Sequence, residues 1–210
     1  MTVSIEKRRG FRNRFDVLID GERVFTASKK TLAELDIEDG SLIDDLPAAI
    51  ALVDGMELES AMERSYYYLD ARMRSGKELR DNLLRAGYSQ NVIEQAMETL
   101  ERLGFWDDKA FAQSFARSKL NSKSMRAVLF ELKQKGISSS LLEEVKEMEE
   151  PDDEAEKCLV IINRYLRGRG EPKDQLRKAT QACLRRGYSW DAIRAALSKA
   201  DAETEEDVFD

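Results

Sequence analysis

The chain has 210 residues, a formal charge of −7 at pH 7 and no histidine. Histidine is the commonest general base near neutral pH and the commonest metal ligand, so its absence excludes the usual serine–histidine and zinc sites. The glycines stand singly at segment ends and form no phosphate-binding loop. We therefore expect no catalytic residues, no metal and no cofactor.

The sequence shows no targeting or membrane segment. No stretch approaches the roughly 18 consecutive apolar residues of a membrane span, and the basic start, Met1 to Arg14, lacks the apolar run of a signal peptide. A cytoplasmic location is expected. Cys158 and Cys183 fall in helix-like segments, where we interpret them as small core hydrophobes and not as a disulfide framework.

The negative total hides a block pattern of charge. The net charges along the chain are +4 for residues 1–30, −10 for 31–63, +5 for 64–140, −8 for 141–156, +8 for 157–200 and −6 for 201–210. Two basic regions are thus separated and flanked by acidic ones. A polyanionic or acidic partner stays compatible with the overall charge.

The first 56 residues are predicted to form a separate N-terminal region. Residues 2–28 alternate apolar and polar positions around Asp20-Gly21, a dipeptide preferred in two-residue turns. This pattern predicts a small antiparallel hairpin or meander packed on the following helix. Residues 31–55 mix leucine and isoleucine with acids, which indicates one or two short helices and an acidic connection.

From residue 57 onward the pattern is helical and repeats about every fifty residues. Each repeat contains one Gly-bulky-Ser box, defined here as Gly87-Tyr88-Ser89, Gly136-Ile137-Ser138 and Gly187-Tyr188-Ser189. A period of this size predicts a mainly α, elongated array of three-helix repeats after the small antiparallel sheet. The expected repeats are 57–105, 106–150 and 151–200, followed by an acidic, disordered tail at 201–210.

The boxes and their neighbours have a structural interpretation. Glycine takes the left-handed conformation that closes one helix, the bulky residue fills the corner and serine caps the next helix. Ser75 with Glu78 matches a capping box, and Pro151 and Pro172 suit the first turn of a helix. The adjacent acids Asp107-Asp108 are interpreted as a helix start and not as a metal site.

A functional alternative to this structural interpretation is that each box is the turn of a helix-turn-helix that binds specific DNA sequences. Its reading helix follows the turn and should be basic, yet the third helices, 89–103, 138–149 and 189–200, hold eight acids against four bases. The second helices, which precede the boxes, hold eleven bases against four acids. Sequence-specific reading is therefore disfavoured, and the second helices become the candidates for contact with a polyanion or an acidic protein.

The candidate binding residues are the lysines and arginines on and around the second helices. They are Arg72, Arg74, Lys77, Arg80, Lys123, Arg126, Lys133, Lys135, Arg167, Arg169, Lys173, Arg177, Lys178, Arg185 and Arg186. Lys119 and Arg164 lie in the same basic segments of the sequence. For each of these residues, the alternative to a binding role is an ordinary position on a solvent-exposed helix face. The run Tyr66-Tyr67-Tyr68 offers either stacking surfaces for bases or core packing.

An ordered series of motifs resembles the RecX family over roughly residues 60 to 200. It consists of Tyr68 to Ser75 with Glu78-Leu79, the first box, Leu103-Gly104-Phe105-Trp106-Asp107-Asp108 with Phe111-Ala112, Glu131 to Ser138, and Arg185-Arg186-Gly187-Tyr188-Ser189 with Ile193. The resemblance implies a non-enzymatic regulator of the RecA recombinase, active in DNA repair, homologous recombination and the SOS response. It also implies tandem three-helix repeats that lie along the RecA filament on DNA and usually inhibit filament growth, ATP hydrolysis and strand exchange.

The resemblance places partner contacts at Arg72, Arg74, Lys133, Lys135, Arg185 and Arg186. The expected partners are a RecA-type filament and, weakly and without sequence preference, single- or double-stranded DNA, bound by a monomer. Two other hypotheses stay open: a sequence-neutral DNA-binding protein that acts without RecA, and a helical scaffold for another protein. The acidic segments 31–63 and 201–210 either screen the basic face or serve solubility.

Overall fold

The computed structural model describes residues 1–148, 154–168 and 171–206. These residues form three strands and ten helices, in two compact units, Met1–Asp108 and Lys109–Asp210. No helix in the described ranges combines the length and apolarity needed to cross a membrane.

The first unit opens with a three-stranded antiparallel sheet, as predicted. Its strands are β1 (Val3–Lys7), β2 (Arg14–Ile19) and β3 (Glu22–Ser28), in the order β1-β2-β3. Asp20 and Gly21 have φ values of 53° and 81°, so both residues of the β2–β3 turn are left-handed, as a twisted two-residue hairpin requires. The predicted turn and meander are confirmed.

Two helices cover this sheet. Helix α1 (Lys29–Glu34) begins directly after β3, and helix α2 (Leu46–Ala71) begins after Asp45, whose side chain accepts a hydrogen bond from the Ala48 amide at 3.0 Å. Val53 of α2 is fully buried against the sheet core around Val17. The prediction that the sheet packs on the following helix is confirmed.

Helix α2 is longer than the sequence suggests. It runs without a break through residue 56, so one helix both covers the sheet and serves as the first helix of the first repeat. The sequence indicated short helices in 31–55, whereas nothing after Pro47 stops a helix before Ala71. Gly55 lies inside it, and one interior glycine costs only about 1 kcal/mol.

The rest of the first unit completes the first repeat. Helix α3 (Gly76–Arg85) begins at the predicted capping box, in which Ser75 and Glu78 each accept from the other's backbone amide. Helix α4 (Gln90–Arg102) follows the first box. Leu79 and Leu83 of α3 are fully buried in one cluster with Val92, Ile93, Ala96, Met97 and Leu100 of α4.

The second unit contains the other two repeats, each with three helices as predicted. These are α5 (Asp108–Leu120), α6 (Met125–Gln134) and α7 (Ser139–Lys146), then α8 (Glu154–Leu166), α9 (Pro172–Arg185) and α10 (Trp190–Glu206). Pro172 occupies the predicted first position of α9, whereas Pro151 lies outside the described residues. The repeats have separate cores, centred on Leu132 and on Ile162.

Helix α10 extends six residues into the segment 201–210, for which the sequence predicts a disordered tail. Alanine and glutamate, which make up most of this stretch, are good helix formers, so the helix continues past the last core residue, Ala200. Residues 207–210 lie outside the described residues.

Both cysteines are fully buried and unbridged, which confirms their prediction as core hydrophobes. Cys158 lies on α8 and Cys183 on α9, and both belong to the same buried cluster. Burial raises the pKa of Cys158 to about 12 and also raises the pKa of Cys183. The two thiols stay protonated at neutral pH.

Candidate partner-binding surface

The three Gly-bulky-Ser boxes have the predicted geometry. Gly87, Gly136 and Gly187 have φ values of 86°, 83° and 87°, and the bulky residues that follow them are 4%, 4% and 1% exposed. The three serines accept hydrogen bonds from the amides of Val92, Leu141 and Ala192 at 3.2, 3.4 and 3.1 Å. Each box therefore fixes where a second helix ends and a third helix starts.

In the second unit, the third box also joins two repeats. The Ser124 amide donates to the Arg186 carbonyl at 3.0 Å, and the Ser124 hydroxyl and Arg126 Nη2 donate to the Gly187 carbonyl at 2.8 and 2.9 Å. A Cβ on Gly187 would lie 2.7 Å from the Ala127 Cβ. The C-terminal end of α9 is thus docked on the N-terminal end of α6, a contact that the sequence did not reveal.

In the first unit, the first box is docked on the sheet in a similar way. Arg14 Nε donates to the Ala86 carbonyl at 3.0 Å, and its guanidinium carbon lies 4.0 Å from the centroid of the Tyr88 ring. Arg14 also pairs with Glu57, and these residues are 6% and 2% exposed. A buried ion pair thus ties the end of α3 to β2 and α2.

Glu57 has further donors that fix it in place. Its carboxylate accepts from the Ser28 amide at 2.8 Å and from the Thr31 hydroxyl at 2.6 Å, in addition to Arg14. A buried charge is tolerated only when it is paired and hydrogen-bonded, and both conditions are met here. No local sequence pattern indicates this pair, because its members lie 43 positions apart.

Each second helix has an exposed stripe of basic side chains, and each stripe also contains one large apolar side chain. We call these the basic stripes, and their members are Lys77, Arg80, Leu84 and Arg85 on α3, Arg126, Phe130 and Lys133 on α6, and Lys173, Arg177, Lys178, Leu184 and Arg185 on α9. Leu84, Phe130 and Leu184 are 56%, 62% and 38% exposed. These apolar side chains were not among the candidate binding residues that the sequence indicated.

The α9 stripe includes one weak surface ion pair. Asp174 pairs with Arg177 at 3.4 Å, but both side chains are more than half exposed, and such pairs contribute little. In the second unit, Arg126 reaches the end of α9, so the first base of the α6 stripe lies beside the segment that carries Arg185 and Arg186. The fold thus brings two of the stripes together there.

The remaining candidate bases have internal contacts or stand apart from the stripes. Arg72 makes two 3.2 Å hydrogen bonds to Glu78, Arg74 donates to the Tyr68 carbonyl at 2.9 Å, Lys123 pairs with Glu131, Lys135 lies over the rings of Phe111 and Phe115, and Arg186 is half-buried at the end of α9. Arg167 is exposed just after α8, and Arg169 lies outside the described residues.

The tyrosine run divides between core and surface. Tyr66 packs against Phe105 with ring centroids 4.7 Å apart, and Tyr66 and Tyr68 both border the first-repeat core. Tyr67 is 75% exposed. Core packing is therefore confirmed for two of the three rings, and Tyr67 is the ring left on the surface for stacking.

The acids that disfavour DNA reading lie on the surface. Glu94 and Glu98 of α4 and Glu143 and Glu144 of α7 are all exposed. Asp108 instead accepts from the Gly76 amide at 2.8 Å, and burial raises its pKa. No group of three or more potential metal ligands occurs in the described ranges.

Comparison with known proteins identifies the family. Models of the first, second and third three-helix domains of RecX match residues 61–100, 107–145 and 152–197. The chain belongs to the RecX family. Two relatives named regulatory protein RecX, from Bacillus velezensis and Caldanaerobacter subterraneus, are 27% and 26% identical over 93% and 89% of this chain, and the matches cover 75% and 93% of those proteins.

Two crystal structures of RecX proteins share the fold. One has a TM-score of 0.59 and 22% identity, and the match covers 93% of this chain and 97% of that structure. The other, from Lactobacillus salivarius, also has a TM-score of 0.59, with 21% identity over 70% of this chain and 99% of that structure. The fold of this chain is therefore similar to that of solved RecX proteins.

Proposed function

We propose that this chain regulates the RecA recombinase by binding its filament on DNA in the cytoplasm, and that it reduces filament growth, ATP hydrolysis and strand exchange. It acts by contact and not by catalysis. Membership of the RecX family supports the partner. The observation that carries the proposal is the basic stripe, with one exposed apolar side chain, on the second helix of each repeat.

The composition of the stripes favours a protein partner over bare DNA. Phosphates are bound by basic and polar side chains, and an exposed leucine, as on two of the three stripes, adds nothing to such a contact. Protein interfaces, in contrast, gain most of their energy from a few apolar or aromatic anchors surrounded by polar contacts. Phe130, exposed between Arg126 and Lys133, has this character. DNA then contributes a weaker contact without sequence preference.

Repetition of the stripe suits a filament. A filament presents the same surface many times, and several weak contacts that are linked in one chain give a much higher overall affinity than any one of them. We propose that the repeats 57–105, 106–150 and 151–200 supply these contacts. The N-terminal region 1–56 supports the first repeat through Arg14, and one chain acts as a monomer.

The direct test is RecA-catalysed ATP hydrolysis on single-stranded DNA with increasing amounts of this chain. We expect hydrolysis to fall with concentration, and the chain to sediment with the filaments. Phe130→Ser and Lys133→Glu should each raise the concentration for half inhibition by about ten-fold, the effect of losing roughly 1.4 kcal/mol at an interface. Lys199→Glu, on the exposed surface of α10, is the control and should match the unaltered chain.

The alternatives give different results. A DNA-binding protein that needs no RecA would bind naked DNA tightly, with an affinity that falls steeply as salt rises, because each neutralised phosphate releases counterions. Its Phe130→Ser variant would bind as well as the unaltered chain. Unchanged hydrolysis together with no co-sedimentation would refute the proposal and would leave a scaffold for another protein.

A further inference from the structure

The second unit contains a cavity of about 530 Å³ whose described lining includes no member of the basic stripes. It is bounded by α8, by the turn between α5 and α6, and by the end of α9. Cavities of roughly 300–1,000 Å³ are the usual size for small-molecule sites. Most of its described lining lies on α8, the first helix of the third repeat, and Arg186 borders it next to the stripe residue Arg185.

One face of α8 supplies the floor of this cavity. Lys157, Val160, Ile161 and Arg164 all line it, and their spacing of three, four and seven places them on one side of the helix. At about 1.5 Å rise per residue, the two bases are roughly 10 Å apart along the axis, with apolar surface between them. Val160 is 70% exposed, which leaves this apolar surface open to a ligand.

A third base lies on the other side of the cavity. Arg186 lines it from the end of α9, where its backbone carbonyl accepts from the Ser124 amide at 3.0 Å and so fixes the residue's position. Asn121 and Ser122 add uncharged polar groups, and Tyr165 adds an aromatic ring. Of the described residues that line the cavity, none is acidic.

We propose that this cavity binds a nucleotide. Arg164 and Arg186 hold the phosphate, Lys157 adds positive charge at the other end of the cavity, and the base or sugar packs on the apolar surface of Val160 and on Tyr165. A poly-glutamate peptide would match the three basic residues but has no ring to stack on Tyr165, whereas a nucleotide has both a phosphate and a base. For a DNA strand the inference rests on the weak DNA contact of the proposed function, and for a free nucleotide it goes beyond that function, because binding here requires no recombinase.

Two sources of the nucleotide are compared in solution, without RecA. A fluorescent oligo-dT strand reports binding by anisotropy, and ADP is titrated separately by calorimetry. Arg164→Gln should weaken binding about ten-fold, as expected when a charged hydrogen-bond donor to phosphate is lost. Arg194→Gln on α10 removes one exposed positive charge away from the cavity and is the matched control, with little change expected.

A second variant guards against indirect effects. Val160→Asp changes an exposed side chain, so the helix should still form, and its carboxylate should repel phosphate and weaken binding at least as much as Arg164→Gln. Circular dichroism checks that both variants fold. For the strand, loss of one phosphate contact should also lower the salt dependence, by about 0.7 in the slope of log K against log salt.

The outcomes separate the possibilities. Binding of oligo-dT that depends on Arg164 and Val160 supports a strand as the source, and the same dependence for ADP supports a free nucleotide. The proposal is overturned if neither ligand binds, if Arg164→Gln and Arg194→Gln have equal effects, or if a poly-glutamate peptide binds more tightly and with the same dependence. None of these results depends on inhibition of RecA.

Discussion

Replacement of Gly87 by alanine tests whether the first box is a docking point as well as a helix stop. Gly87 has a φ of 86°, and an added Cβ would lie 2.8 Å from the Arg14 Cγ and 2.8 Å from the Phe11 Cδ1. Ordinary contacts of a Cβ are 3.4–4 Å long. Arg14 has little freedom to withdraw, because it is held by Glu57 and by the Ala86 carbonyl.

Two costs add at this position. A left-handed alanine costs about 1–2 kcal/mol relative to glycine, and overpacking of a filled site costs about 1–3 kcal/mol more. We therefore expect Gly87→Ala to lower the free energy of unfolding by about 2–5 kcal/mol. Gly104 provides the matched control in the same unit, because its φ is 71° but an added Cβ would meet no atom within 4 Å. Gly104→Ala should carry the first cost alone.

Urea unfolding followed by circular dichroism measures both variants. The midpoint for Gly87→Ala should fall well below that for Gly104→Ala, with no change in the slope of the transition if only stability is altered. If the two variants lie within about 0.5 kcal/mol of each other, close to the scatter of surface substitutions, the first box is only a helix stop and the docking argument fails.

Three further predictions concern buried side chains. Tyr188→Phe should stabilise the chain by about 1 kcal/mol, because the Tyr188 hydroxyl is buried and has no hydrogen-bond partner among the described residues. Tyr88→Phe should destabilise the chain by about 1 kcal/mol, because the Tyr88 hydroxyl is hydrogen-bonded to the Ser60 hydroxyl at 2.9 Å. If urea unfolding shows that Tyr188→Phe and Tyr88→Phe change stability in the same direction, the hydrogen-bond explanation is wrong. Burial raises the pKa of the Cys158 thiol from 9.0 to about 12, so as pH rises the unfolded chain loses this proton before the folded chain does. The free energy of unfolding should therefore fall between pH 9 and 12, by up to about 1.4 kcal/mol per pH unit. Cys158→Ala should reduce that slope when unfolding is measured between pH 9 and 10, and an unchanged slope would show that this thiol is not the cause.

Local features of the fold could be predicted because they depend on a few neighbouring residues. A left-handed glycine followed by a serine that caps the next helix is determined within about six positions, and all three boxes have this geometry. The capping box at Ser75 and the turn at Asp20-Gly21 are equally local. The number and order of the helices follow from such signals together with the apolar periodicity.

Contacts between distant parts of the chain could not be predicted in this way. Arg14 and the Ala86 carbonyl are 72 positions apart, and Arg126 and the Gly187 carbonyl are 61 apart. No local pattern marks the end of one helix as the docking site of another. For the same reason, the sequence identified the basic residues of the candidate surface but did not separate exposed ones, such as Lys133, from internally paired ones, such as Lys123.

The two docked boxes suggest how the basic stripes acquire fixed positions. The C-terminal end of a helix carries partial negative charge on its free carbonyls. In the first unit the end of α3 receives Arg14, and in the second unit the end of α9 receives Arg126, so an arginine satisfies carbonyls at the end of each of these stripe-bearing helices. Arg126 therefore has two roles, since it belongs to the α6 stripe and also holds α9. Its replacement by alanine should disturb two stripes, whereas Lys133→Ala should affect one, and RecA inhibition should fall further for Arg126→Ala if the stripes act together.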